Sequence, residues 1–376
     1  MNVVIISWEM LETGGINRVI GGFQTGLIKL GHNVITYHAS KNGRLKLSTE
    51  EYTLMTKWYR PKSVNLGWYN SEQLKDYRQS VKKADFVLSV HGCPHPTNSG
   101  AKGDYGWHKL YEIPRKYNIP IGIVFTDNLW DRLYSWIVDI ITPDTKLFYN
   151  NFNAGYDSIP KLPNEATFID YPIDLNEQIL SHNKNIDVAW LPQWKKWKGI
   201  YEVVEQISKA PNRFSTAFFN SGIEYYNLRK TSHWRRAINT DYFINKQHNK
   251  NSKANYYGIF TPDRVHNIYS RSKVSLDLSG AYAKKFEAQF TCAMAESMMY
   301  KSLMVVSPHL VADERSRIRN LPIVYPARTD DLVNSLYEAV YNDTLRNVII
   351  DNAYTWVKDN CLDMDVTQKI INYMKE

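Results

Sequence analysis

The chain has 376 residues, of which 43% are apolar and 13% aromatic; this is enough to bury two ordinary cores and excludes a disordered protein. Its longest apolar runs fall short of the roughly 20 residues that a membrane-spanning helix needs. Three scattered cysteines, Cys93, Cys292 and Cys361, argue against a disulfide framework. The composition therefore predicts a water-soluble cytoplasmic protein without a membrane span.

The formal net charge of +8 is unevenly distributed along the chain. Residues 1–180 carry 19 Lys and Arg against 18 Asp and Glu, whereas residues 229–285 carry 12 basic residues against 3 acidic ones. A local basic surplus of this kind indicates a polyanionic partner, either nucleic acid or an anionic membrane surface. A solvated face that keeps the protein in solution explains the same surplus, and the charge alone leaves both interpretations open.

In the first half of the chain, short β-branched runs alternate with helical stretches. Asn2–Ser7 is predicted as a buried strand, followed by a turn at Thr13–Gly15 and an amphipathic helix over residues 17–30 that ends at Gly31. Further strands are predicted over His32–Tyr37, Ala84–Val90 and Ile119–Phe125. This β-turn-α-β order predicts a doubly wound parallel sheet.

The pattern restarts near residue 186. Strands are predicted over Asp187–Leu191, Phe214–Phe219, Val274–Leu278 and Leu303–Ser307, a helix is predicted over Gly199–Lys209, and Glu296–Tyr300 is expected to lie on another helix. We therefore expect an N-terminal Rossmann-like domain over 1–180, a C-terminal Rossmann-like domain over 181–355, and a cleft between them at the carboxyl ends of both sheets. The final helical segment, 356–376, could pack back on the N-terminal domain.

Glycines follow the first strand where the next helix starts. Gly14 and Gly15 would let the backbone approach a ligand closely, and the N–H groups at the helix N-terminus would face a phosphate. Tight strand-to-helix turns also use glycine for geometry alone. The glycines do not form the GxGxxG fingerprint, so no NAD site is predicted.

Lysines cluster in segment 190–199 (WLPQWKKWKG), at the exit of the first strand of the second half. Lys195, Lys196 and Lys198 beside a helix N-terminus would form a cationic pocket that stabilises a departing nucleoside diphosphate. The alternative is a basic loop whose lysine stems cover the neighbouring tryptophans.

Two acidic residues are candidates for chemistry. Glu296 lies near the start of an otherwise apolar helix, where its carboxylate could accept both ribose hydroxyls of a nucleotide or could compensate the charge of the helix N-terminus. Asp127 follows the buried run 119–125, so it is predicted at the carboxyl end of a strand. There it could orient or deprotonate an acceptor hydroxyl, or form an Asx turn or helix cap.

The basic segment 229–285 interleaves cationic side chains with aromatic ones. Cations for phosphates and aromatic faces for bases are the composition that nucleic-acid-binding proteins use. Some of the aromatic residues could instead belong to the core of the second domain. The cations singled out are Arg229, Lys230, Arg235 and Arg236.

A histidine-containing turn, His91-Gly-Cys93-Pro-His95, superficially suggests metal ligands. The sequence has no second ligand cluster at metal-site spacing. A structural or acceptor-contacting loop is the favoured interpretation, and no metal site is predicted.

The order of four motifs along the chain resembles that of the retaining GT-B glycosyltransferases related to glycogen and sucrose synthases. The motifs are the glycine turn, the Lys198-Gly199 pair, segment 256–279 (YYGIFTPDRVHNIYSRSKVSLDLS) and segment 295–306 (AESMMYKSLMVV). In that family the glycines and basic residues hold the donor diphosphate, a backbone segment meets the base, and a glutamate binds the ribose. The resemblance implies a nucleotide-sugar site formed by Gly14, Gly15, Lys195, Lys198, Ile259, Phe290, Thr291 and Glu296.

The resemblance is greatest to the phage DNA α-glucosyltransferases that modify hydroxymethylcytosine, whose motifs match Trp197–Gly199 and Gly222–Glu224. It implies transfer of a sugar with retention to a hydroxymethylated pyrimidine in double-stranded DNA, with UDP-glucose as the expected donor and no essential metal. Domain 1–180 would be the acceptor side, and the catalytic roles fall on Asp127 and Lys198. We also expect a monomer, and the cytoplasm predicted from the composition is the host cytoplasm if the protein is phage-encoded.

Three positions depart from the family pattern. Gln193 stands where the family has a diphosphate-binding arginine, Ala288 where it has the first glutamate of a pair, and Thr126 where the phage enzymes have a histidine before Asp127.

Two other functions stay open. One is a GT-B enzyme of surface polysaccharide or glycolipid synthesis, with its basic patch facing an anionic membrane. The other is a non-enzymatic nucleic-acid-binding protein, which does not explain the donor-site order of the motifs.

Overall fold

The chain forms two compact units, Met1–Asp174 with Cys361–Glu376, and Leu175–Asn360. The computed structural model describes residues 1–7, 15–38, 63–65, 71–90, 106–126, 141–150, 164–181, 183–191, 199–210, 214–218, 232–233, 262–278, 290–314, 316–328 and 330–376. Within these ranges, no helix is long and apolar enough to cross a membrane.

The described residues of the first unit include a seven-stranded parallel sheet in the order β3-β2-β1-β4-β5-β6-β7. Its strands are β1 Asn2–Ser7, β2 Asn33–His38, β3 Ser63–Asn65, β4 Phe86–Val90, β5 Ile121–Phe125, β6 Lys146–Tyr149 and β7 Ala166–Phe168. Its connections include helices α1 Gly15–Lys29, α2 Ser71–Val81 and α3 Gly106–Lys116. Every residue of β4 and β5 is buried, as expected of parallel strands that are covered on both faces.

The second unit has, in its described part, a five-stranded parallel sheet in the order β12-β11-β10-β8-β9. Its strands are β8 Ile186–Trp190, β9 Thr216–Phe218, β10 Ser272–Asp277, β11 Leu303–Val306 and β12 Tyr325–Pro326. Its α-helices include α4 Ile200–Ser208, α5 Pro262–Arg271, α6 Cys292–Met299, α7 Pro308–Ala312, α8 Leu332–Tyr341 and α9 Asp343–Cys361. The apolar faces of α4 and α8 pack with the central strands into one core, to which Trp190 contributes a fully buried ring.

The last helix, α10 (Asp363–Lys375), packs against α1 in the first unit. A Cβ atom added at Gly26 of α1 would lie 2.4 Å from the carbonyl oxygen of Asp363. At Gly22 the same atom would lie 1.9 Å from the carbonyl oxygen of Pro172. Glycine is therefore required on this face of α1, because any side chain would push the neighbouring backbone away.

Two ion pairs of Lys29 and a backbone pairing hold α10 in place. Lys29 of α1 pairs with Asp363 at 2.9 Å and with Asp174 at 2.8 Å. The Ile173 N–H donates to the Cys361 carbonyl at 2.7 Å, and the Asp363 N–H donates to the Ile173 carbonyl at 3.1 Å. The C-terminal segment is thus hydrogen-bonded to a part of the first unit from which it is separated in the chain by the second unit, Leu175–Asn360.

The two parallel sheets with their covering helices confirm the α/β, doubly wound class that the alternating pattern predicts. The strand order of each sheet reverses at one place, between β1 and β4 in the first unit and between β8 and β10 in the second. Such switch points are where open α/β sheets form crevices for ligands, at the carboxyl ends of the strands.

Candidate active site

The switch point of the second sheet lies between β8 and β10, which pair in parallel with Val188 opposite Val274. The two strands end at Trp190 and Asp277. Helix α4 follows β8 in the chain, and helix α6 follows β10. Both helices therefore start on the side of the sheet where a ligand crevice is expected.

Helix α4 starts from a glycine in the left-handed region. Gly199, the N-cap residue, has φ 75° and ψ 22° and has no side chain with which to cap the first turn of the helix. The left-handed conformation disfavours residues with a Cβ atom, which explains the glycine of the Lys198-Gly199 pair. The first-turn N–H groups of such a helix are suited to bind an anion. Lys198 directly precedes Gly199 in the chain but lies outside the described residues.

Helix α6 is tied to the end of β10 through its N-cap. The Thr291 hydroxyl accepts a hydrogen bond from the Met294 N–H at 3.2 Å and donates one to the Asp277 carboxylate, also over 3.2 Å. Asp277 is 1% exposed, so this buried acid fixes the start of α6 relative to the sheet. Phe290, one residue earlier, packs its ring edge-to-face against Trp356 of α9 at 5.4 Å. The side chains of Phe290 and Thr291 thus have structural contacts of their own.

Glu296 lies in the second turn of α6 and is 2% exposed. Because α6 begins at Cys292, Glu296 is beyond the first turn, where a carboxylate compensates the helix dipole. The structure therefore contradicts the interpretation that Glu296 is there to compensate the charge of the helix N-terminus. A buried carboxylate requires hydrogen-bond partners, and one of them is His266 of α5, whose Nε2 lies 3.4 Å from Oε1.

The ring of His266 is itself held in place. It stacks on the ring of Tyr300 with the centroids 4.2 Å apart and the planes at 20°. The Tyr300 hydroxyl accepts a hydrogen bond of 3.0 Å from the backbone N–H of Asn176. His266 is 4% exposed and Tyr300 is fully buried. The result is a polar cluster in the interior of the second unit, centred on Glu296.

The structure describes four of the residues that the resemblance assigns to the donor site. Gly15 is the first residue of α1 in the first unit, and Phe290, Thr291 and Glu296 lie along the start of α6 in the second. The remaining predicted site residues lie outside the described part of the chain: Gly14, Asp127, Lys195, Lys198, Arg229, Lys230, Arg235, Arg236 and Ile259. Across the described ranges, no group of three or more His, Cys, Asp or Glu is arranged to hold a metal ion.

The sequence did not single out two members of this site, His266 and Asp277. His266 sits on a helix with ordinary amphipathic spacing, where a histidine gives no signal of its own. Asp277 ends the run VSLD, and a charged residue at the end of a buried strand could have been noticed there. Its partner Thr291 is 14 residues away, so their contact depends on the tertiary fold.

Two α/β units of this kind, each with a parallel sheet, define the GT-B fold, and solved structures of glycosyltransferases share it. No protein-family model matches the sequence. No curated protein sequence matches it significantly. The fold class expected from the sequence is therefore confirmed by the two sheets and by structural similarity, without a sequence match.

Three of the similar structures are informative. An alpha-glucosyltransferase solved with UDP-glucose and DNA containing an abasic site is 12% identical with a TM-score of 0.68. An alpha-glucosyltransferase solved with UDP and a 13-mer DNA containing an HMU base is 11% identical with a TM-score of 0.67. HepE from Anabaena, solved with UDP and glucose, is 11% identical with a TM-score of 0.65. Each likeness covers 100% of this chain and 99% of the other. The resemblance noted in the sequence thus holds at the level of the fold.

Proposed function

We propose that the protein is a retaining GT-B glycosyltransferase that moves a sugar, with glucose as the expected one, from a UDP-sugar to a hydroxymethylated pyrimidine in double-stranded DNA. The observation that carries the proposal is Glu296, a buried acid on the helix that starts at the switch point of the second sheet. A carboxylate can accept two hydrogen bonds from vicinal hydroxyls. The ribose of a nucleotide presents such a pair.

The donor half of the mechanism uses the second unit. Lys198 and Lys195, together with the N–H groups that start α4 and α6, would stabilise the charge that grows on UDP as the bond to the sugar breaks. The transition state has oxocarbenium character at the sugar. Positive charge near the leaving diphosphate lowers the free energy of this transition state, and no proton has to be transferred to the diphosphate. Thr291 keeps the start of α6 in place through Asp277.

The acceptor half of the proposal depends on Asp127 and on the basic segment 229–285. Asp127 follows Thr126, which is buried directly after the end of β5, and would orient the hydroxymethyl group of the acceptor. The base must leave the DNA stack to reach a site in a protein cleft, at a cost of a few kcal/mol. Phosphate contacts from Arg229, Lys230, Arg235 and Arg236 would offset that cost and would make binding salt-dependent.

A second candidate is a GT-B enzyme that uses the same donor with an acceptor other than DNA. It is supported by the similarity to AviGT4, a glycosyltransferase involved in Avilamycin A biosynthesis, at 12% identity and a TM-score of 0.55. Fold similarity therefore does not separate the two acceptors.

Incubation with labelled nucleotide-sugars and DNA tests the proposal. The DNA would contain cytosine, hydroxymethylcytosine or hydroxymethyluracil, and the label incorporated into DNA would be counted. We expect incorporation from UDP-glucose into hydroxymethylated DNA only, and a donor KM at least about tenfold higher for Glu296→Ala, which loses hydrogen bonds to a charged group. Glu205→Ala is the matched control, because Glu205 is an exposed acid of α4 that pairs with Lys209. UDP-glucose turnover without label in any DNA would favour the second candidate, and no turnover of any nucleotide-sugar would refute both.

A further inference from the structure

His266 and Glu296 come from different helices, α5 and α6, and meet in the interior of the second unit. Their side chains are 6% and 3% exposed, and His266 Nε2 lies 3.4 Å from Glu296 Oε1. A ring nitrogen and an ionised carboxylate at this distance form a hydrogen bond when the nitrogen carries the hydrogen, because an ionised carboxylate can only accept.

The imidazole has a defined orientation because its face is packed. The Tyr300 ring lies 4.2 Å away and almost parallel to it. Tyr300 is anchored in turn by the Asn176 backbone N–H, at 3.0 Å from its hydroxyl. The four groups form a chain of contacts that begins on the backbone of residue 176 and ends on one oxygen of Glu296.

A carboxylate at the end of a glutamate side chain has a broad torsional preference about its last bond. To accept hydrogen bonds from two vicinal hydroxyls, its plane must be fixed toward the ligand. A donor that holds one oxygen fixes this plane. Each carboxylate oxygen has two acceptor positions, so Oε1 can accept from His266 and still receive a hydroxyl of the ligand.

We propose that His266 is a positioning residue that orients the Glu296 carboxylate for a ribose, so that recognition of the 2′-hydroxyl depends on His266. The inference rests on the proposed function, since it assigns a second residue to the same nucleotide site. If His266 only filled space or satisfied a buried acid, its replacement would change stability and leave the preference for ribose over deoxyribose intact.

The test compares the affinities of the full chain for UDP and for 2′-deoxy-UDP by calorimetry. The unchanged protein should bind UDP about 10- to 100-fold more tightly, as expected when one hydrogen bond to a charged group is lost. His266→Phe keeps a flat ring on Tyr300 but has no donor, and we expect the ratio of the two dissociation constants to fall to about 3 or less. His266→Gln replaces the donor without the ring and should retain most of the ratio. His233→Phe is the control, because His233 is exposed and contacts Ser208 at the end of α4.

The outcomes separate the two proposals. A protein that does not bind UDP overturns the proposed function and this inference together. If the unchanged protein prefers UDP and His266→Phe retains that preference, His266 has no positioning role and the proposed function stands. If His266→Phe does not fold, His266→Met, which also lacks a donor, decides: a retained ratio would contradict the role of the donor, and a ratio that falls to about 3 or less while His266→Gln keeps its ratio would support it.

Discussion

At the scale of single residues, buried polar side chains carry most of the information about this site. Glu296 could be selected from the sequence because an acid in the run CAMAESMM has no simple place in a fully buried helix. His266 and Asp277 could not be assigned in the same way, since their roles arise from contacts with residues 30 and 14 positions away. Chemistry that depends on a tertiary contact leaves no local pattern in the sequence.

Lys184, just before β8, gives a prediction at the same scale that concerns stability. Its ammonium group donates to the Lys301 carbonyl at 2.7 Å. Burial, followed by the charges of Arg346 and Lys301, lowers the pKa of Lys184 to about 7 from 10.5. Between these two pH values the unfolded chain binds one proton more than the folded chain, so this lysine makes the free energy of unfolding rise with pH, by about 1.4 kcal/mol per pH unit.

Urea titrations at pH 7.5 and pH 9 would measure this effect. The unchanged protein should gain about 2 kcal/mol relative to Lys184→Met over that interval, because the variant lacks the titrating group. Lys209→Met is the control, since Lys209 is exposed and pairs with Glu205. Equal pH dependence in the unchanged protein and Lys184→Met would show that the ammonium is not destabilised by its surroundings.

At the scale of elements, the pattern located the predicted strands and the helices over residues 17–30 and 199–209 to within a few residues, whereas it assigned no bounds to α8 and α9. Strand β1 has the bounds expected, and α1 begins two residues earlier than its amphipathic pattern indicates. The strands β3, β7 and β12 have only two or three residues, too few for an alternation to be recognised. Glu296 was predicted near the start of a helix, and α6 in fact begins four residues earlier at Cys292, where the Thr291 side chain caps it.

The contact between α1 and α10 can be tested by the sign of the change in the free energy of unfolding when a glycine of α1 is replaced by alanine. In the interior of an isolated helix, Gly→Ala stabilises by up to about 1 kcal/mol. At Gly26 the new methyl group would lie 2.4 Å from the Asp363 carbonyl oxygen and from the Thr367 hydroxyl. We expect Gly26→Ala to lower the free energy of unfolding by about 2 kcal/mol, because the backbone of α10 must move.

Gly31→Ala provides the comparison for this experiment. Gly31 ends α1 at φ 80°, and a Cβ atom there would meet nothing within 4 Å. Its replacement costs backbone strain only, about 1 kcal/mol, and leaves the helix contact intact. Stabilisation by Gly26→Ala in urea titrations would mean that α10 does not pack on this face of α1.

At the scale of the whole molecule, the alternation of strands and helices was sufficient to predict the α/β class, because each short buried run and its following helix are local features. The return of the C-terminal segment to the first unit was only a possibility in the sequence. The pairing of Ile173 with Leu362 that fixes it joins residues 189 positions apart. The proposed acceptor site depends on residues such as Asp127 and Arg235, which lie outside the described part of the chain, so that their roles stay predictions from the sequence.

The crystal structure of the protein with UDP is the most direct test of the account. We predict that the nucleotide lies at the carboxyl ends of β8 and β10, with its ribose hydroxyls within hydrogen-bond distance of the Glu296 carboxylate and its diphosphate at the starts of α4 and α6. A nucleotide bound with its ribose away from Glu296, or at another edge of the sheet, would contradict the proposed donor site.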